Sequence, residues 1–286
     1  MTTSIIMLTH NQLHLTLDCV EGLYRHTSAP FELICVDNGS RDGTVPYLQS
    51  LESWRDNVRL VINDSNLGFP KGVNQGLRIA RGDYIVLLSN DVVVAPYWEE
   101  RMRGHLDRDP GLGIIGSSTN LCGNEAMIKE TRYRSIEEMV QFAGAYTAAH
   151  HGEVEELPML GFYCVMFRRG LLAEIGMLDE RFSPGYFEDD DYCVRARRHG
   201  YKLVVARDVF VHHAHQGTFR SIISNPGNIV EHGRREFEEK WGVKVVKAHD
   251  LDYTYIEEAI GKDTRAIIEE QEIDLCPSNT STPSLG

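Results

Sequence analysis

The sequence predicts an α/β fold, a Rossmann-like and mostly parallel central sheet flanked by helices. Three observations predict it. Apolar runs of about strand length alternate with helix-length segments over the first 116 residues. The runs are continuously apolar, as expected of parallel strands covered on both faces. The β-α-β-α order supplies the crossovers that parallel strands require.

The elements follow in order. Ser4–Leu8 is a strand ending at Thr9-His10-Asn11. Gln12–His26 has Leu13, Leu17, Val20 and Leu23 at helical spacing. Phe31–Val36 is a strand closed by the turn-forming tetrad Asp37-Asn38-Gly39-Ser40. A helix begins near Thr44, a residue suited to capping. Val58–Ile62 is a strand, Lys71–Ala80 a helix, and Tyr84–Leu88 a strand stopping at Ser89-Asn90-Asp91. Leu112–Gly116 is a further strand, and a short helix covers Ile136–Phe142 in the polar segment Ser117–Glu156. Leu160–Phe167 is a strand and Arg169–Ile175 a helix. Tyr192–His199 is a helix with Gly200 closing it. Lys202–Ala206 and Val209–Val211 are strands, and Ile229–Trp241 is an amphipathic helix. The Ser/Thr/Pro-rich end, 277–286, is expected to be disordered.

The 286 residues are 42% hydrophobic and 25% charged, enough to bury a core without disulfide or metal staples. Lys and Arg number 29 against 42 Asp and Glu, a net of −13. This balance argues against nucleic acid as a partner, since binding phosphates at every step needs cations. Six cysteines form no CxxC pair and mostly sit in apolar runs, which reads as buried thiols in a reducing compartment. The N-terminus lacks a basic region, and no apolar stretch approaches the ~20 residues of a membrane helix. A cytoplasmic protein without a transmembrane segment is expected; peripheral association with a membrane stays open.

Ligands of parallel α/β sheets bind at the carboxyl ends of the strands. Here those ends are three polar clusters meeting at one edge. Asp91 could hold a divalent cation beside a diphosphate, or cap the following turn. Asp37 could accept from a base or ribose, or stabilise its own turn. Gly68, Gly72 and Gly76 match neither GxGxxG nor the P-loop; they permit close approach along a helix that also carries Lys71 and Asn74. Glu188-Asp189-Asp190-Asp191, flanked by aromatics, either favours a helix N-terminus or supplies a general base with a raised pKa. His212-His213-Ala214-His215 places His213 and His215 on one face of a strand. Without HExxH or a Cys partner, a structural zinc site is not expected.

Together these pieces, in this order over about Ser4 to Phe219, resemble the family 2 glycosyltransferases, which have the GT-A fold. The match runs through Thr9-His10-Asn11, Val36-Asp37-Asn38-Gly39-Ser40, Asn66-Leu67-Gly68-Phe69 with Gly72 and Asn74, and Leu88-Ser89-Asn90-Asp91. It continues through Phe187-Glu188-Asp189-Asp190-Asp191, Arg195, His199-Gly200-Tyr201 and His212-His213 ahead of Gly217-Thr218.

The resemblance implies an inverting transferase using a nucleotide-diphosphate sugar, UDP- or dTDP-linked, and Mg²⁺ or Mn²⁺. It implies a nucleotide-sugar-binding set of Thr9, Asn11, Asp37, Asn38, Lys71, Asn74 and Asn90. Asp91 stands at the metal-binding aspartate of the family's DxD-type motif, with Ser89 in place of the first acid. His213, or His215 second, would share the metal. Asp189, with Glu188 in the catalytic motif, would be the base, and Asp190 fills a position where acids are less usual. Asp91 and Asp189 would act from opposite sides of one cleft, with Tyr186 and Phe187 available to stack on sugar rings. The acceptor would be a glycan, a lipid-linked glycan or a protein glycan.

In domain terms, 1–220 would be the transferase, with a nucleotide half to about 116 and an acceptor half to about 220. Residues 221–276 would form a helical extension. A non-catalytic nucleotide-sugar or carbohydrate-binding domain of the same fold is the alternative. A nucleotidyltransferase expects a Gly-rich basic loop where Thr9-His10-Asn11-Gln12 stands, and a nicotinamide oxidoreductase expects GxGxxG.

Overall fold

The computed structural model describes residues 1–214, 226–245 and 253–261. Its first half runs β1 (Thr3–Thr9), α1 (Leu13–His26), β2 (Phe31–Asp37), α2 (Thr44–Trp54), β3 (Val58–Ile62), α3 (Phe69–Ile79) and β4 (Tyr84–Ser89). Then come β5 (Val92–Val94), α4 (Trp98–Arg108), β6 (Leu112–Thr119), α5 (Ile136–Ala149) and β7 (Val154–Glu156). The remainder is β8 (Cys164–Arg168), α6 (Gly170–Ile175), a 3₁₀ turn (Glu180–Phe182), α7 (Glu188–Arg198), β9 (Lys202–His213), α8 (Pro226–Trp241) and α9 (Thr254–Gly261).

One sheet orders its strands β3-β2-β1-β4-β8-β6-β9-β5, with β7 added on β9. β1, β2, β3 and β4 pair in parallel, as do β6 and β9, while β8, β5 and β7 join antiparallel. Six strands therefore share one direction, in keeping with the mostly parallel expectation. The 3-2-1-4 start places a topological switch point between β1 and β4. Register pairs Thr9 with Asp37 on one side of β1 and Leu8 with Ser89 on the other, so all three polar clusters do meet at one edge.

Successive strand residues face opposite sides, and each side has its own core. Ile5, Met7, Leu33 and Cys35 join Leu23, Leu48 and Trp98 beneath α1, α2 and α4. Ile6, Ile34 and Val36 join Val73, Leu172 and Tyr192 beneath α3, α6 and α7. Helix α3 lies close because Gly72 and Gly76 lack side chains. A Cβ at Gly72 would stand 2.4 Å from Leu8 and one at Gly76 2.5 Å from Ile6.

Several boundaries differ from the sequence expectations. β5, α4 and β7 had no counterpart there. α4 buries Trp98, Met102 and Leu106 but is otherwise charged, which dilutes its apolar stripe. α5 runs to Ala149, past the expected Phe142, and starts at a Ser135 cap that accepts from Glu138 N–H. The strand expected at Leu160–Phe167 is β8, Cys164–Arg168, and the residues before it form a buried turn. The two late strands are one, β9, with a register shift against β6 between Ser117 and Ser118. The expected 277–286 tail lies outside the described residues.

Candidate active site

At the β1–β2 edge, Asp37 is fully buried. Its carboxylate accepts from Thr9 Oγ1 (3.1 Å), Ser40 N–H (2.8 Å) and Ser40 Oγ (2.5 Å). Asn11, at φ 55°, accepts from Arg41 N–H at 2.7 Å through Oδ1, and its own N–H donates to Ser40 Oγ at 2.6 Å. Asn38 ties three loops: its N–H donates to Thr9 C=O, Nδ2 donates to Gly68 C=O (3.0 Å), and Oδ1 accepts from Asn63 (2.9 Å). Thr9, Asn11, Asp37 and Asn38 thus form one connected group.

The other expected nucleotide residues sit differently. Lys71 is exposed in the first turn of α3. Asn74 clamps a distant backbone, with Nδ2 donating to Leu178 C=O (2.9 Å) and Oδ1 accepting from Leu178 N–H (3.1 Å). Asn90 turns inward and donates to Thr16 Oγ1 at 3.0 Å. The amides of Asn74 and Asn90 are therefore engaged by the fold itself.

Asp91 follows β4 and is 4% exposed. The antiparallel β5–β9 pair sets Val92 opposite His213, and Ala214 N–H donates to Asp91 C=O at 2.9 Å. His213 Nε2 consequently lies 3.4 Å from Asp91 Oδ2. Its Nδ1 contacts Leu121 C=O at 2.9 Å. A carbonyl can only accept, so Nδ1 donates to it, and Nε2 is the ring nitrogen turned toward Asp91. Tyr163 stacks on the imidazole with centroids 5.2 Å apart and planes inclined by 17°.

The neighbouring His212 faces away, as strand alternation requires, with Nδ1 at 2.7 Å from Tyr133 Oη. Burial lowers its pKa. His215 lies outside the described residues. No cluster of three or more His, Cys, Asp or Glu able to hold a metal occurs among the described residues. A carboxylate beside an imidazole suits a cation that completes its shell with diphosphate and water oxygens.

The four acids form the first turn of α7, which begins at Glu188 rather than at the expected Tyr192. The helix dipole favours anions there. The acids divide by environment. Asp191, fully buried, is held by Arg195 Nε (2.9 Å), Lys240 Nζ (2.6 Å) and Trp241 Nε1 (3.0 Å). Glu188 and Asp190 are buried, and Glu188 Oε2 and Asp190 Oδ1 find no hydrogen-bond partner among the described residues. Burial, and then the charge of Asp189, push both well above the usual carboxylate range. Asp189 is the partly exposed member. Burial pushes its pKa up to about 6, against hydrogen bonds from the Asp190, Asp189 and Phe162 backbone that favour the ionised form.

The turn before β8 joins the two centres. The Phe162 backbone lies near enough to Asp189 to favour its ionised form, and the next residue, Tyr163, stacks on His213. Adjacent Cα atoms are about 3.8 Å apart, so the acid and the Asp91–His213 pair flank a single turn. This turn's role was not legible in advance, because Phe162 and Tyr163 read as ordinary strand residues.

The loop before α3 also reaches this region. Phe69 N–H donates to Pro184 C=O at 2.8 Å, and a Cβ at Gly68, φ +87°, would stand 2.6 Å from Pro184 Cα. Tyr186 and Phe187 follow at φ 72° and 70°. Tyr186 stays at the surface, but Phe187 packs against Phe237 and Tyr255, which removes it as a sugar-stacking ring. A groove of about 1120 Å³ along α1 and α2, lined by Leu17, Tyr24, Trp54 and Arg55 among others, contains none of these residues.

Among solved structures, the fold is similar to GalNAc-T7 in complex with UDP, GalNAc and Mn²⁺ (TM-score 0.64, 15% identity, 84% of this chain and 49% of that one). It is likewise similar to a mannosyltransferase from Pyrobaculum calidifontis in complex with GDP-Man and Mn²⁺ (TM-score 0.61, 18% identity, 90% and 69%). In sequence, the chain is 28% identical over 225 residues to the hyaluronan synthase of Pasteurella multocida, covering 69% of this chain and 23% of that protein. The chain spans 23%, 35% and 23% of the lengths of the first three curated relatives it matches. The family model described as Glycosyl transferase family 2 matches residues 4–176, more than half of the chain, and the chain belongs to that family.

Proposed function

We propose that this protein is an inverting glycosyltransferase that moves a sugar from a nucleotide-diphosphate donor to an acceptor hydroxyl. The observation that carries the reading is the Phe162-Tyr163 turn, which has an acid of raised pKa on one side and the Asp91–His213 pair on the other.

Asp189 is the base. Its carboxylate takes the acceptor's hydroxyl proton as that oxygen attacks the anomeric carbon and the bond to the diphosphate breaks. A pKa near 6 leaves it ionised at neutral pH yet basic enough to accept a proton. Asp91 and His213 would hold Mg²⁺ or Mn²⁺, which when bound would offset charge on the leaving diphosphate. Both neighbouring structures contain Mn²⁺, in line with this assignment.

Thr9, Asn11 and Asp37 take the base and ribose, and Lys71 takes a phosphate. Asn38, Asn74 and Asn90 act by holding the pocket in shape. Tyr186 offers a ring to the acceptor. The donor is UDP- or dTDP-linked, and the acceptor is a glycan, a lipid-linked glycan or a protein glycan. The described part of the C-terminal extension, 226–245 and 253–261, braces α7 through the packing of Phe237, Trp241 and Ile256 around Phe182, Phe187 and Val194.

No helix among the described residues is long and apolar enough to cross a membrane. Five described cysteines are free thiols, which suits the cytoplasm. A thermal-shift panel of UDP-, dTDP- and GDP-sugars with Mn²⁺, Mg²⁺ or chelator tests the reading, because a ligand bound by the folded state raises Tm. A metal-dependent rise with one donor class is expected; no rise with any would contradict it.

A further inference from the structure

Strand β9 ends at His213, and both of its edges are held there. On one edge stand the Val92 pairing and the Ala214 N–H to Asp91 C=O bond. On the other, β6 follows β9 only as far as Thr119 opposite Val211. The next residue, Asn120, then takes over with its side chain. Its Oδ1 accepts from His213 N–H at 2.7 Å, and its Nδ2 donates to His213 C=O at 3.1 Å. A primary amide carries the same donor and acceptor as a peptide group, so Asn120 continues the ladder after the β6 backbone has turned away. Thr119 Oγ1 donates to the same Oδ1 at 3.3 Å, which fixes the orientation of the amide. The turning backbone brings Leu121 C=O onto the imidazole Nδ1.

We propose that Asn120 is a positioning residue of the metal centre, clamping the end of β9 so that His213 Nε2 stays aimed at Asp91. The inference rests on the Asp91–His213 assignment made above. Among the described residues Asp91 and His213 are the two candidate ligands, so the aim of each matters, and a strand's last residue is where fraying begins. The clamp comes from the first residues of the segment expected to face the acceptor, so that segment and the metal ligand are mechanically joined.

Mn²⁺ binding in the presence of UDP, followed by electron paramagnetic resonance of the free ion, tests this. The chains compared are wild type, Asn120→Ala, His213→Ala, the double variant and Asp91→Ala. Partners of metal-ligating histidines contribute about 10–100-fold to metal affinity. Asn120→Ala is expected to weaken Mn²⁺ binding about tenfold and to add nothing in the His213→Ala background. Asn120→Gln, which keeps the amide but moves it by one methylene, is expected to lose less and serves if the alanine variant does not fold. Loss in Asp91→Ala with none in either Asn120 variant overturns the clamp. Equal loss in the two backgrounds also overturns it, since a general structural role has that signature. Unchanged Mn²⁺ affinity in Asp91→Ala overturns the metal-centre assignment itself.

Discussion

His213 Nε2 lies 3.4 Å from Asp91 Oδ2, although the two residues come from opposite halves of the family-like region. The antiparallel pairing of β5 with β9 brings them together, and Leu121 C=O accepts from the imidazole Nδ1, which orients the ring. The pair is set by sheet register, with the Asn120 side chain holding the end of β9.

The proposed mechanism makes Asp189 govern the pH response. As the proposed base it works only when ionised, and burial raises its pKa to about 6. kcat should therefore fall as pH drops through about 6 and level off above it. The linkage to stability has the opposite sense. A carboxylate with a raised folded pKa binds protons more tightly when folded, so its contribution to stability declines as pH rises from about 4 to about 6. Asp189→Asn should remove that decline and stabilise the protein at pH 7, by at most about 3 kcal/mol at 1.36 kcal/mol per pKa unit. Urea unfolding at pH 5 and pH 7 checks it; a destabilised Asp189→Asn at pH 7 contradicts it.

Gly68 should not accept a side chain. Its φ of +87° disfavours a Cβ, and the space is filled by Pro184. Gly68→Ala should cost about 1–3 kcal/mol and reduce turnover, because it pushes the loop before α3 away from the stretch that leads into α7. Chemical denaturation and steady-state kinetics of the variant give the answer. A loss of stability with kcat and KM unchanged would separate the contact from catalysis.

Lys240 joins Asp191 of α7 (2.6 Å) to Asp179 (2.7 Å) and is 8% exposed. Removing one partner of a buried ion network strands the others, at about 3 kcal/mol or more. Lys240→Met should lower the urea midpoint accordingly and slow transfer by loosening the helix that carries Asp189. An unchanged midpoint would mean that Arg195 and Trp241 suffice for Asp191.

The strand tips were legible because each apolar run stops abruptly at polar residues, and the register confirms that Thr9, Asp37 and Ser89 adjoin. The His213–Asp91 contact came from family resemblance, since no local pattern pairs residues so distant in sequence. The four acids suggested a helix N-terminus, and they do open α7, where three donors hold Asp191. Two matters stayed hidden for physical reasons. Phe187 resembles an exposed aromatic until α8 and α9 arrive to cover it. Asn120 acts through a side chain standing in for backbone, which leaves no periodic signal.

The central claim separates the two aspartates by role, and calorimetric titration of the best donor into Asp91→Ala and Asp189→Asn, with and without Mn²⁺, tests it most directly. Asp189→Asn should bind the donor as wild type does, with the same dependence on Mn²⁺, while transferring no sugar. Asp91→Ala should lose the Mn²⁺-dependent part of binding. Equal donor affinity in both variants, or transfer by Asp189→Asn at the wild-type rate, would contradict the account.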